Sequence, residues 1–490
     1  MTLEPLANPS LVTGAAALSR EQAVQRLDAI AGDLSRLQGL SGEIQQIREG
    51  LGVAQPAATR IDLFHSYMFV FVVAFVVTLL VTPVMRRLAT ANGIVDRPSE
   101  ARKIHRAPVA YLGGVAVYLG ILAGVGLSYL APFLPWEVVG FHVDEPQAVP
   151  LAVLGGMTAI MLIGLFDDVL SISPRIKIGG QLLTAAVLAF NDIGVKVAAG
   201  LLAPIGQLLG NERLVYAIDL PFPIPFGGTH LQLDLIYWTG TAIIAIFVLG
   251  SCNASNLIDG LDGLLSGVTA IAMAGLLVIA LTMATMSDGP LDSARIVLVL
   301  AVLGGCLGFL PHNFNPATIF LGDAGSMLLG FSTAVVILTL GDTGKTHLVV
   351  AGLIIYAVPI IDTVLAIVRR KLSGRSISAA DDQHLHHQLK RSLGVKKAAL
   401  ALYGIGLAFA LLGVAMSMGR GRVTYALALV LASFIGVIAF KAARREKIEQ
   451  EARRYDARMA EEAAASAATA AGDSGRGKRG DPARGEPTPV

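Results

Sequence analysis

The sequence predicts an all-α polytopic membrane protein with about eleven transmembrane helices. Composition is the first reason: 54% of the 490 residues are hydrophobic and 15% are charged, whereas an ordinary soluble protein carries about 25% charge. The 53 glycines and a mean hydropathy of +0.65 are the second, since small residues let helices pack closely in lipid. Third, apolar runs long enough to cross a hydrocarbon core of about 30 Å recur along most of the chain. The 38 basic and 36 acidic residues leave a net charge of +2. Without a clustered basic excess, no nucleic-acid partner is expected. Cys252 and Cys306 lie in or at the end of apolar runs and are expected to be buried thiols.

Residues 1–60 read as an N-terminal extension, with no apolar core that would suggest a cleavable signal peptide. Within it, Val24, Leu27, Ile30, Leu34, Leu37, Ile44, Ile47 and Leu51 fall three, four or, once, seven apart, which predicts an amphipathic or coiled-coil helix. Its charges are of both signs, so self-association is expected and a homodimer is the expected oligomer. Residues 61–440 form the transmembrane domain, with runs near 64–85, 111–130, 148–166, 176–190, 234–252, 263–286, 295–311, 324–340, 347–368, 398–417 and 423–440. The prolines and glycines of 191–233 predict a small external β-hairpin. Residues 441–490 read as a charged, largely disordered cytoplasmic tail.

Basic residues set the orientation. Arg86, Arg87, Arg97, Arg102, Lys103 and Arg106 follow the first run; Arg369, Arg370, Lys371, Arg375, Lys390, Arg391, Lys396 and Lys397 follow the ninth. Both loops are expected in the cytoplasm. The alternate connections are poor in Lys and Arg, and the alternation holds only if 176–190 crosses. Eleven spans then put the N-terminus outside and the C-terminus in the cytoplasm.

Ionisable groups are costly at bilayer depth and therefore informative. Asp167 and Asp168 end the third run; Asn253, Asn256, Asp259 and Asp262 end the fifth; His312, Asn313 and Asn315 end the seventh. Asp323 begins the eighth, and His384, His386 and His387 lie in the basic loop after the ninth. All are expected on one face, with Lys103, His105 and Arg106. Hard oxygen ligands at helix ends suit Mg2+ (or Mn2+) held with substrate phosphates. Asp323 reads as an N-cap followed by Gly and Ser, whose free amides could also hold phosphate oxygens. The residues at 253, 256, 259 and 262 would share one helix face if the helix persisted that far, and their amides and carboxylates could bond a base or a sugar; they could equally be caps and turn residues. The three imidazoles could bind a metal or a pyrophosphate.

Five strings carry a resemblance: Arg102-Lys-Ile-His105 leading to Leu112-Gly-Gly114; Gly164-Leu-Phe-Asp-Asp168 with Lys177 downstream; Asn253-Ala-Ser-Asn-Leu-Ile-Asp-Gly-Leu-Asp-Gly263; Asn313-Phe-Asn-Pro-Ala-Thr-Ile-Phe-Leu-Gly-Asp-Ala-Gly-Ser326; and His384-Leu-His-His387. In this order they resemble the polyprenyl-phosphate N-acetylhexosamine-1-phosphate transferase superfamily over about residues 64–440. The His-x-His-His form is more similar to its undecaprenyl-phosphate N-acetylglucosamine-1-phosphate transferases than to the phospho-N-acetylmuramoyl-pentapeptide translocases. Ala110, where the family often has Pro, and Gln383 and Gln388, where it often has a basic residue, depart from the pattern.

The resemblance implies a Mg2+-dependent enzyme of the inner membrane, working at its cytoplasmic face. A UDP-N-acetylhexosamine would give its sugar 1-phosphate to a polyprenyl phosphate lying among membrane lipid, releasing UMP. Asp168 and Asp323 would ligate the metal, and Asp167 would act as base or orient the acceptor. Lys103, Asn253, Asn256, Asp259, Asp262, Asn313 and Phe320 would bind the nucleotide sugar, with Phe320 as a stacking surface. His105, Arg106, Lys177, His384, His386 and His387 would contact phosphate. The alternatives are a muramoyl-pentapeptide phosphotransferase and a cation-coupled transporter; a transporter would place its carboxylates near the midplane, not at helix ends.

Overall fold

The computed structural model of the protein describes residues 59–96, 108–130, 149–224, 228–286, 289, 291–372, 374 and 384–476. The expected helix in 18–51, and Lys103, His105 and Arg106, lie outside the described residues. The chain divides into the units Met1–Thr59 and Arg60–Val490, and every element below belongs to the second.

Helix α1 (Arg60–Ala91) leads through the two-residue strands β1 (Val95–Asp96) and β2 (Val109–Ala110) to α2 (Gly113–Leu130), then α3 (Leu151–Leu170) and α4 (Pro174–Phe190). Proline heads α4, where its missing N–H costs nothing. Next come α5 (Lys196–Leu208), the hairpin β3 (Val215–Ile224) and β4 (Gly228–Asp234), and α6 (Leu235–Ile258). Asp234 caps α6, accepting the Tyr237 N–H at 2.9 Å. Then follow α7 (Leu264–Ala284), α8 (Asp292–Asn313), α9 (Gly322–Thr339), α10 (Thr346–Ile355), α11 (Ala357–Leu372), α12 (Leu385–Leu393), α13 (Val395–Ser417) and α14 (Gly421–Arg476).

Burial orders these helices. In α7, α8 and α9 the spans are 83%, 78% and 89% buried, against 22% in α1 and 6% in α14, so the first three form the centre and the others the rim. The rim exposes Leu80, Leu429, Val430 and Phe434, which suits contact with acyl chains. The central α9 packs on α2, α3 and α6. Cys252 and Cys306 are free and buried as expected.

Four expectations need correction. Among the described residues nine helices are long and apolar enough to cross a membrane, and a broken pair makes a tenth; the count of eleven is reached only with α4, which has 17 residues. The run at 347–368 is that broken pair, bent by 80° between α10 and α11. Pro359 lies four residues after Ile355, so it cannot donate to that carbonyl and its ring crowds it; the helix ends there. At the bend, the buried Tyr356 hydroxyl bonds Ser255 Oγ at 2.6 Å. Segment 191–233 holds the helix α5 before its hairpin, because Val197 and Ala198 supply an apolar face to bury. The tail expected to be largely disordered from 441 is helical to Arg476, as its Ala, Glu and Arg content favours.

At the ends of α8 and α9 away from the polar strings lies a buried ion cluster. Arg295, read above as the start of an apolar run, is 1% exposed. Its guanidinium bonds Asp292 at 2.7 Å, Asp342 at 3.0 Å and the Thr339 carbonyl at 2.7 Å. Arg295→Ala would strand the buried Asp342 carboxylate, a loss of about 3–5 kcal/mol for such pairs. Thermal unfolding of the detergent-solubilised protein should show a midpoint several degrees lower.

Candidate active site

The site is built on the first turn of α9. A Cβ at Gly164 would lie 2.5 Å from backbone atoms of Asp323 and Ala324, so only glycine lets α3 come this close. Asp168 stands four residues on, over the same face. Its carboxylate accepts the N–H of Asp323 at 2.8 Å and of Ala324 at 3.0 Å. Gly322, at φ +71°, completes the fit, because a Cβ there would lie 2.5 Å from Asp168 Oδ2. Asp323 is therefore not the N-cap expected from the sequence: it sits inside the helix, whose N-cap position is Leu321. Two amides of this first turn, those of Asp323 and Ala324, are taken by Asp168. A second support comes from Gly113 and Gly114, whose N–H groups bond the carbonyls of Phe320 and Leu321 at 3.0 and 2.8 Å.

Lys177 reaches in from α4. Its Nζ lies 2.5 Å from both Asp167 Oδ2 and Asp323 Oδ2. Asn256, from the end of α6, donates to Asp323 Oδ1 at 2.7 Å and to Ser326 Oγ at 3.0 Å. Two carboxylates thus share one ammonium, and Asp168, held on the amides of Asp323 and Ala324, adds a third carboxylate beside them, leaving a local excess of negative charge.

A cavity of about 670 Å³ opens beside them, lined by Asn256, Asp259, Phe320, Asp323, His387 and Lys390 among others. Helix α6 ends at Ile258, so Asp259 and Asp262 stand in a turn and do not continue the helical face. Burial, then repulsion from Asp323, Asp168 and Asp262, pushes the Asp259 carboxyl up to about 8. Tyr111 also lines the cavity, its ring 6.1 Å from that of Phe320. Burial and the surrounding aspartates hold its phenol above the usual range.

Other predicted residues are drawn into local structure. Asp262 Oδ2 accepts from the Asn315 side chain at 2.7 Å and the Ala317 N–H at 3.0 Å, bracing the loop before α9. Asn313 accepts from Gly263 N–H and Ser266 Oγ and donates to the Ile319 carbonyl. Asn253 bonds Gln181 at 3.0 Å and is not in the cavity wall. His312 lies 3.1 Å from the Leu79 carbonyl. The histidine motif divides: His387 lines the cavity, whereas His384 and His386 are buried against Asp362.

Comparison with known proteins now bears on this arrangement. Residues 150–341 match the family described as glycosyl transferase family 4. A Bacillus subtilis protein named "Probable undecaprenyl-phosphate N-acetylglucosaminyl 1-phosphate transferase" is 32% identical over 383 residues, covering 77% of this chain and 93% of the relative. The chain belongs to glycosyl transferase family 4. The decaprenyl-phosphate N-acetylglucosaminephosphotransferase of Mycobacterium tuberculosis is 34% identical to this family 4 protein over 331 residues, 64% of the chain and 74% of the relative. The phospho-N-acetylmuramoyl-pentapeptide-transferase of Desulforudis audaxviator is 30% identical over 369 residues, 71% and 97% of the two chains.

Sequence reasoning did not find Tyr111, Lys390 or Asp362. Tyr111 gives no signal apart from its neighbours in space, and Lys390 reads in the sequence only as one of the basic charges of its loop. Asp362 did give one, as a carboxylate inside an apolar run.

The raised Asp259 pKa has a consequence for stability. The unfolded carboxyl titrates near 3.8 and the folded one near 8, so the folded state binds the extra proton and loses stability as pH rises through that window. Asp259→Asn should therefore be more stable than the parent in metal-free buffer. Its advantage should grow from pH 4 to pH 8 and level off above, as read by thermal unfolding; a gap that shrinks over that range removes the assignment.

Proposed function

We propose that the protein transfers N-acetylglucosamine 1-phosphate from UDP-N-acetylglucosamine to a polyprenyl phosphate of the undecaprenyl type, giving polyprenyl diphosphate N-acetylglucosamine and UMP. The observation that carries this reading is the pairing of Asp167 and Asp323 on Lys177, with Asp168 fixed on the amides of Asp323 and Ala324, where Asp323 joins the wall of a cavity lined by Phe320, Asn256 and Asp259. The names of the Bacillus and Mycobacterium relatives support the same transferred group and acceptor class. The reaction would start a cell-envelope polysaccharide. The basic loops after the first and ninth runs support a site on the cytoplasmic face of the inner membrane, and the pattern of 18–51 supports a homodimer.

The donor set fits a hard divalent cation: three carboxylates carry more negative charge than one ammonium offsets, and all their ligand atoms are oxygen. Asp168 and Asp323 would hold Mg2+ (or Mn2+), which when bound would screen the donor diphosphate and polarise its phosphoryl oxygens. Asp168 is held rigidly by two helix amides. Asp323 is held by Asn256. Lys177, tethered between Asp167 and Asp323, stands ready to pair with an incoming phosphate. A phosphate monoester has its second pKa near about 6, so the acceptor arrives largely as a dianion. Its difficulty is approaching another anion; Lys177 reduces that repulsion on the acceptor side, and His387 and Lys390 in the cavity wall offset charge on the donor diphosphate. Asp167 then orients the acceptor through Lys177 rather than removing a proton. Phe320 offers its face to the uracil ring, and Asp259 and Asn256 offer hydrogen bonds to base or ribose. By resemblance Lys103 joins the nucleotide-sugar set, and His105 and Arg106 the phosphate set.

The test is the purified full chain with Mg2+, undecaprenyl phosphate and radiolabelled UDP-N-acetylglucosamine. Butanol-extractable label with equimolar UMP, abolished by EDTA, is expected; no label from any UDP-N-acetylhexosamine overturns the reading. Asp168→Asn and Asp323→Asn should each leave less than about a tenth of the rate, a barrier increase above roughly 1.4 kcal/mol. For orientation, cysteines placed in 197–213 should react with an impermeant thiol reagent added outside, and those in 384–393 should not.

A further inference from the structure

Asp362 stands in α11, six residues past the bend, and is 1% exposed. A carboxylate so placed is costly unless donors receive it, and it does not line the cavity. Both its oxygens are committed to α12. Oδ1 accepts the N–H of Leu385 at 2.7 Å, one of the amides a helix start leaves open. Oδ2 lies 2.9 Å from His386 Nδ1 and 3.3 Å from His384 Nδ1.

With the carboxylate as acceptor, His386 carries its proton on Nδ1. The other nitrogen, Nε2, is buried without a hydrogen-bond partner and points at Gly260, where a Cβ would lie 2.6 Å away. The imidazole is therefore wedged between Asp362 and the turn that carries Asp259. Its ring packs on those of His387 and His384, with centroids 4.2 and 5.4 Å apart. His387 and Lys390, three residues apart on α12 and hence on one face, line the cavity.

We propose that Asp362 is a positioning residue for the nucleotide sugar: by holding the first turn of α12 and the ring of His386, it sets His387 and Lys390 in the cavity wall. This rests on the function proposed above. The ligand atoms of Asp362, His384 and His386 also lie within 4.8 Å of one another, close enough to hold a metal ion. Hydrogen bonding is the better account, because both carboxylate oxygens already face N–H donors at 2.7 and 2.9 Å.

The experiment compares the purified full chain with Asp362→Asn, which keeps one acceptor oxygen and loses the other, and Asp362→Glu, which restores both. Steady-state kinetics, calorimetric binding of UDP, thermal unfolding and elemental zinc analysis are run on all three. Asp362→Asn should raise KM for UDP-N-acetylglucosamine and weaken UDP binding about tenfold. It should change kcat less than about threefold and leave KM for undecaprenyl phosphate unchanged. Asp362→Glu should recover more than half of the lost affinity. The proposal is overturned if Asp362→Asn binds and turns over like the parent, or if both variants lose kcat, both KM values and thermal stability together. One zinc per parent chain that is missing from Asp362→Asn overturns it too, replacing hydrogen bonding by ligation. A parent that neither transfers the sugar phosphate nor binds UDP sinks the proposed function and this inference with it, an outcome distinct from an active parent with an unaffected variant.

Discussion

Two hydrogen bonds, from the amides of Asp323 and Ala324 to the carboxylate of Asp168, tie the packing of the bundle to the geometry of its site. A helix that starts inside a protein leaves amides that must find acceptors, and its dipole favours a negative group there. Here the acceptor comes from a different helix. Neither Asp168 nor the start of α9 can therefore shift alone, and Asp323, one position into that helix, inherits the same fixed position. The absence of side chains at Gly164 and Gly322 is the steric condition for the contact.

Charge is handled in opposite ways at the two ends of this core. At one end Arg295 is surrounded by Asp292, Asp342 and a carbonyl, and the groups largely satisfy one another. At the other, Asp167 and Asp323 share one lysine, with Asp168 and Asp259 close by. The first arrangement is what a structural clamp needs. The second leaves a field that favours cations and is only partly compensated within the protein, the condition under which pKa values move and ligands bind.

Most of the fold was legible because hydropathy marks spans directly: the runs at 263–286 and 295–311 reappear as α7 and α8. The bend was not read, although Pro359 carried the signal; a uniformly apolar run hides a break in hydrogen bonding. Arg295 was hidden by its apolar neighbours, and α5 by Pro204, which reads as a breaker. Of the site, Asp167, Asp168, Asp323 and Asn256 stood out because polar groups at helix ends in a membrane chain need a reason. What sequence could not separate was contact from support. Asp262 and Asn313 line the cavity, yet their polar groups are engaged with the loop and helix ends around it, and the Nδ1 of His386 is engaged with Asp362. That division depends on which way a turn faces, and the end of α6 at Ile258 decides it.

Helix α14 runs for 56 residues, and its apolar part ends at Ile438. The remaining 38 residues, at 1.5 Å each, make a rod about 57 Å long. Such a rod is nearly twice the thickness of a hydrocarbon core of about 30 Å. Along its own axis the helix therefore extends well past the length that one membrane crossing uses.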